Sequence, residues 1–107
     1  MADARLVRIA EVEVDPHQLV AYKALLAEVG ATSVAQEPGV LMLHSVSLKY
    51  APHLIRVFEV YADSAAYEAH IQTPHFLKYR QGTAGMVTAL RLIDVDPILF
   101  SAKADPC

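Results

Sequence analysis

The chain has 107 residues and a net charge of -3, a length that suits one domain able to bury a core without disulfides or metals. Its basic residues are scattered singly, which argues against nucleic acid as a partner, and the single cysteine, Cys107, offers no disulfide framework. The start, Met1-Ala2-Asp3-Ala4-Arg5, lacks the features of a signal peptide, and no apolar run approaches the ~20 residues that span a bilayer, so a cytoplasmic protein without a membrane partner is expected.

Leu6 to Val14 mixes β-branched and apolar residues with charge and reads as a strand. It stops at Asp15-Pro16, where Asp caps a helix and Pro suits its first turn. From His17, the positions Leu19, Tyr22, Leu25, Leu26 and Val29 recur at helical spacing, and Gly30 is expected to weaken that helix near its end. Glu37-Pro38-Gly39 is a turn signal that opens a strand from Val40 to Lys49. Tyr50-Ala51-Pro52-His53 closes it, and a third strand follows from Leu54 to Tyr61. Asp63 and Ser64 cap a helix over residues 65–71, and Thr73-Pro74 starts another over residues 75–81. Gly82 and Gly85 loosen the chain before a last strand, Met86 to Val95.

This order predicts an α+β fold of the ferredoxin-like βαββαβ type, with an antiparallel sheet in one domain. The core is expected over residues 6–95, followed by a C-terminal extension, 96–107; residues 1–4 and 102–107 read as loosely held ends. In the third strand, Leu54, Arg56, Phe58 and Val60 share one face, and Ile55, Val57, Glu59 and Tyr61 share the other. Both faces are mostly apolar, yet two helices cover only one. A second copy of the sheet is the simplest cover, so a homodimer through the sheet face is expected, with Ile98-Leu99-Phe100 reaching toward the partner.

Glu37-Pro38-Gly39-Val40, then Phe58-Glu59-Val60-Tyr61-Ala62-Asp63, Ala66, His70 and Thr73-Pro74-His75-Phe76, together resemble the antibiotic biosynthesis monooxygenase domain family. The resemblance runs over roughly Leu6 to Val95. It implies a dimeric α+β barrel of ferredoxin-like subunits, each with a pocket between sheet and helices. The family includes small oxygenases that oxidise quinols and polycyclic phenols with O2 and no cofactor, an isomerase of phosphorylated autoinducer-2, and haem-degrading relatives. Membership alone therefore does not define the reaction.

An oxygenase without cofactor must deprotonate its own substrate so that the anion passes an electron to oxygen, which demands a base and hydrogen-bonding groups in an apolar pocket. His70 and His75 are candidates for that base, because imidazole titrates near neutrality. Glu59 is a further catalytic candidate, and Tyr61, His44, Tyr67 and Phe76 are candidates for substrate binding. Each has a structural alternative: His70 packed with its ring bonded to backbone, His75 at a helix start, Glu59 in an ion pair with Arg56 or Arg91, the tyrosines in the core, and His44 at a dimer interface. His17 and His53, beside prolines, read as surface residues.

No metal is expected, since His70 and His75 are five apart across a proline and no cysteine or compact acidic set completes a site. Haem degradation is disfavoured, because the haem-degrading relatives typically place a tryptophan in the pocket and this chain has none. The leading expectation is a cofactor-independent monooxygenase acting on a quinol or related phenol. The alternatives are an isomerase or tautomerase of a small carbonyl compound and a non-catalytic dimeric ligand-binding module. A phosphorylated substrate would need an anchor among Lys49, Arg56, Lys78, Arg80 and Arg91.

Overall fold

The computed structural model describes residues 3–104; Met1, Ala2 and residues 105–107, Cys107 among them, lie outside the described residues. β1 (Leu6–Val14), β2 (Val40–Leu48), β3 (Ala51–Tyr61) and β4 (Val87–Val95) form one sheet in the order β2-β3-β1-β4. Every pairing is antiparallel. A 3-10 turn at Pro16–Gln18 leads into α1 (Leu19–Gln36), and α2 (Ser64–His70) and α3 (Pro74–Thr83) join β3 to β4. The fold is the ferredoxin-like α+β arrangement that the sequence predicts.

The register decides which side chains meet. Ala10 lies opposite Val57 and Val12 opposite Ile55, and these four, with Val14 and Tyr22, form the buried cluster under the helices. Each buried Val or Ile contributes roughly 1.5–3 kcal/mol through removal of apolar surface from water. On the same face a row of alternating charge crosses three strands, because Arg8 is opposite both Glu59 and Asp94. The reverse face carries the opposite pattern: Glu11 lies between Arg56 and Arg91, at 3.4 and 3.7 Å.

The expected caps form. Asp15 accepts from the His17 amide at 3.0 Å, Asp63 from the Ala66 amide at 2.8 Å, and the Thr73 hydroxyl from the Phe76 amide at 3.2 Å. Three elements differ from expectation by more than one residue. α1 runs through Gly30 to Gln36, held by burial of Val29 and Ser33 on either side of the glycine. β3 begins at Ala51 and includes Pro52; pairing to β1 starts only at Leu54, so β1 asks no hydrogen bond of the proline nitrogen. α3 extends to Thr83, whose hydroxyl donates to the Tyr79 carbonyl at 2.8 Å and closes its last turn. Among the described residues no helix is long and apolar enough to cross a membrane.

The turn between α1 and β2 is tied down at Gly39, whose carbonyl accepts from the Ala62 amide at 2.8 Å. A Cβ at Gly39 would lie 2.5 Å from the Cβ of Ala66, so α2 sits directly against this glycine. Gly39→Ala is expected to lower the melting temperature by an amount equivalent to about 1–3 kcal/mol of overpacking. Thermal denaturation checks this, and the double variant Gly39→Ala/Ala66→Gly should recover much of the loss.

Candidate active site

Three segments far apart in sequence meet on one carboxylate. Glu37 ends α1 with its backbone extended, its amide bonded to the Ser33 carbonyl at 2.9 Å. His70 is the last residue of α2 and His75 lies in the first turn of α3. Glu37 Oε2 is 3.0 Å from His70 Nδ1 and 2.7 Å from His75 Nε2. All three side chains are largely buried, His70 most of all. Burial pushes the Glu37 carboxyl up, but the two imidazole hydrogen bonds outweigh it and hold the group below its ordinary value of 4.5. With the carboxylate ionised, each imidazole nitrogen facing it carries a proton, which leaves Nε2 of His70 as that ring's acceptor.

His70 also forms one wall of a cavity of about 160 Å³ between the sheet and the helices. The cavity is lined mainly by apolar and aromatic groups: Ala10, Leu43, Val57, Leu90 and Leu92 from the sheet, Leu26 and Val29 from α1, and Tyr67, Phe76 and Tyr79 from α2 and α3. A chain of rings runs along it. Tyr61 lies 5.2 Å from Tyr67 and 5.4 Å from His70, and His70 lies 5.0 Å from Phe76. Phe76 in turn is 6.1 Å from Tyr79, whose hydroxyl meets that of Tyr22 at 2.7 Å.

Polar groups contribute much less of the lining than apolar ones. The Tyr61 hydroxyl donates to Glu59 Oε1 at 2.5 Å. Burial raises the Glu59 pKa, and neither that hydrogen bond nor the positive charge of Arg8 offsets it fully. Burial likewise raises the Tyr61 hydroxyl, reinforced by the Glu59 carboxylate, so Tyr61 stays a proton donor. Arg8 lines the same cavity, with its guanidinium 4.4 Å above the Tyr67 ring and its Nε 2.9 Å from Asp94 Oδ1.

Of the residues singled out from the sequence, Glu59, Tyr61, Tyr67, His70 and Phe76 line this cavity. His75 stands two hydrogen bonds behind it, through Glu37 and His70. His44 does not belong with them: it pairs with Phe58 on the reverse face of the sheet and is exposed, because it lies one residue out of phase with Leu43 and Ser45, which reach the cavity. Three other expectations are corrected. His70 bonds to a carboxylate rather than to backbone. Glu59 has neither Arg56 nor Arg91 as a partner, since both pair with Glu11 on the opposite face. The five-residue histidine spacing does bring both rings together, and Glu37 completes the only group of three candidate metal ligands among the described residues, with donor atoms within 4.8 Å of one another.

Glu37, Arg8 and Tyr79 were not anticipated as site residues. Strand alternation signals Arg8, which shares the parity of Ala10 and Val12, and Tyr79 follows Phe76 at helical spacing. Glu37 carries no local signal, because its partners are 33 and 38 residues away.

Fold and cavity together define a small ferredoxin-like domain with a histidine and a carboxyl group in an aromatic pocket. The profile of the antibiotic biosynthesis monooxygenase family matches residues 5–82, and the chain belongs to that family. A crystal structure from Bacteroides thetaiotaomicron, described as a candidate antibiotic biosynthesis monooxygenase, is 43% identical, covers 98% of this chain and 100% of its own, and superposes with a TM-score of 0.92. A candidate monooxygenase from Lactobacillus acidophilus is 28% identical over 89% of this chain, with a TM-score of 0.83; this chain spans 51% of that one. A candidate antibiotic biosynthesis monooxygenase from Caulobacter crescentus shares the fold at 20% identity, over 91% of this chain and 92% of its own, with a TM-score of 0.83. No curated protein matches the sequence.

Because the Glu37 carboxyl is held below its ordinary value in the folded chain, its contribution to stability is fully present above the unfolded pKa and is lost as pH falls through the folded one. The melting temperature is therefore expected to drop as pH is lowered below about 4.5, the unperturbed glutamate value. Glu37→Gln should lose roughly 2 kcal/mol at pH 7, the scale of hydrogen bonds to a charged group, and should show a flatter acid limb. Denaturation curves from pH 3 to 7 measure both; equal acid limbs would place the sensitivity in other carboxylates.

Proposed function

We propose that the protein is a cofactor-independent monooxygenase that oxidises a small phenol or quinol with O2. The observation that carries the proposal is His70, fixed through Nδ1 by Glu37 and set in the wall of an aromatic cavity. A carboxylate that holds one imidazole nitrogen leaves the other basic and correctly oriented for a ligand proton. The volume supports a ring: a cavity of about 150 Å³ lined by apolar side chains accommodates one benzene. His70 takes the phenolic proton, and Tyr61 is a poor acceptor because its own proton is firmly held. Glu59, engaged by Tyr61 through Oε1, keeps Oε2 for a ligand hydroxyl.

The electron-rich anion then reduces O2. One oxygen atom joins a ring carbon and the other leaves as water. For a hydroquinone that becomes a hydroxyquinone, the substrate supplies all four electrons, so the stoichiometry requires no outside reductant. A phosphorylated substrate fits less well. Lys49, Arg56, Lys78, Arg80 and Arg91 do not line the cavity, and the one basic side chain that does, besides His70, is Arg8, already engaged by Asp94 and Tyr67.

The Glu37-His70-His75 cluster serves in this proposal as a hydrogen-bond relay, consistent with separations of 2.7 and 3.0 Å. Aerobic incubation with substituted hydroquinones should give oxygen-dependent turnover that survives dialysis against EDTA, and His70→Ala should lower kcat/KM by about 10²- to 10⁴-fold, the usual worth of a general base. Turnover lost with EDTA and restored by zinc or iron would reassign the cluster as a metal centre. Stable binding of phenols without oxygen consumption would instead support a ligand-binding module.

The second part of the proposal is a homodimer through the reverse face of the sheet. Phe58 and Val46 are 39% and 46% exposed there, and Ile98, Leu99 and Phe100 lie open beyond β4. Light scattering after size-exclusion chromatography should give twice the chain mass at micromolar concentration; a monomer would sink this assignment.

A further inference from the structure

The inward stripe of α1 has a gap. Tyr22, Leu26, Val29 and Ser33 recur at three- and four-residue spacing and pack toward the sheet, with Tyr22, Val29 and Ser33 buried. Gly30, four residues after Leu26 and three before Ser33, falls in that stripe and lines the cavity. A Cβ built on it meets nothing within 4 Å. Neither close packing nor helix termination therefore accounts for a glycine at this position. Among the described residues none approaches so closely that a side chain is excluded, in contrast to Gly39, and α1 continues for six residues beyond it, so it does not end the helix. A glycine in a helix interior costs stability relative to alanine, and nothing in the packing of this chain returns that cost.

We propose that Gly30 is a specificity-determining residue of the cavity: the space left by its missing side chain receives the apolar, substituted edge of an aromatic ligand, which lies against the bare backbone of α1. This rests on the phenol-oxidising reading of the site. The cavity's polar side chains, among them Arg8, Glu59, Tyr61, His70 and Tyr79, come from the sheet, α2 and α3, whereas its α1 wall is Leu26, Val29 and Gly30 and offers no side-chain hydrogen bond. A ligand with its hydroxyl toward the polar groups presents its hydrocarbon edge to α1. Alkyl groups on that edge need the room that a Cβ would occupy. A partner chain on the reverse face of the sheet would not reach this wall, so the gap belongs to the ligand and not to assembly.

The test pairs stability with binding. Phenol and 3,5-dimethylphenol are titrated calorimetrically under nitrogen into wild type and Gly30→Ala, and thermal denaturation is recorded for both proteins. Gly30→Ala should melt several degrees higher, because a helix-interior glycine has been replaced in open space. The same variant should bind 3,5-dimethylphenol about tenfold or more weakly, the scale on which a pocket discriminates one methyl group, and should change phenol affinity less than about threefold. Unchanged affinity for both phenols, or equal loss for both, would overturn the proposal, and so would a lower melting temperature, which would mean that the position is packed. Discrimination between the phenols without oxygen-dependent turnover would leave the Gly30 assignment standing and remove the oxygenase reading. Absence of any phenol binding by wild type would remove both.

Discussion

One carboxylate oxygen organises the helical side of this protein. Glu37 stands where α1 gives way to the turn before β2, and its Oε2 accepts hydrogen bonds from His70 at the end of α2 and His75 at the start of α3. Both of those helices are short, of seven and ten residues, and helices of that length hold little stability of their own. Their relative placement depends on what they dock against, and the Glu37 contacts supply a buried polar part of that docking, beside the Tyr22–Tyr79 hydroxyl pair. The same contacts orient the imidazole that faces the cavity, so the geometry of the site and the seating of two helices come from one interaction.

The site separates its two acids, Glu59 in the cavity wall and Glu37 behind His70, by environment. Glu37, with two imidazole donors, is pushed toward the ionised form, and Glu59, with burial dominating over a single tyrosine donor and the Arg8 charge, is pushed toward the neutral one. The surroundings thus move the two carboxyl groups in opposite directions, one favoured as the charged form and the other less so. The row Glu59, Arg8, Asp94 across the sheet keeps Arg8 balanced, so the cavity carries a cation without presenting an unpaired one.

Strand periodicity and capping chemistry made most of the fold legible in the sequence. β1 has the boundaries expected of it, and Asp15, Asp63 and Thr73 cap as their residue types require. Where local signals misled, tertiary packing had the deciding influence: burial of Val29 and Ser33 carried α1 past Gly30, and the pairing of β3 with β2 took in Pro52. The site was legible where alternation or helical spacing points a side chain, as with Glu59, Tyr61, His70 and Phe76. It was illegible at Glu37, because a contact across more than thirty residues leaves no trace in local sequence, and at His44, where a strand face had to be chosen without knowing which side the helices would cover.

The order of the sheet has a consequence for how the chain comes into being. β1, the first strand to be made, lies inside the sheet and pairs on one side with β4, the last, so that Val7 finds Val95. At synthesis rates of about 5–20 residues per second, the apolar face of β1 waits seconds for its final neighbour. Contacts of such long sequence separation also slow folding after release, because loop closure precedes any reward from the contact. The unpaired edge of β1 is therefore the segment that a chaperone would shield, and the arrival of β4 is the event that ends that need.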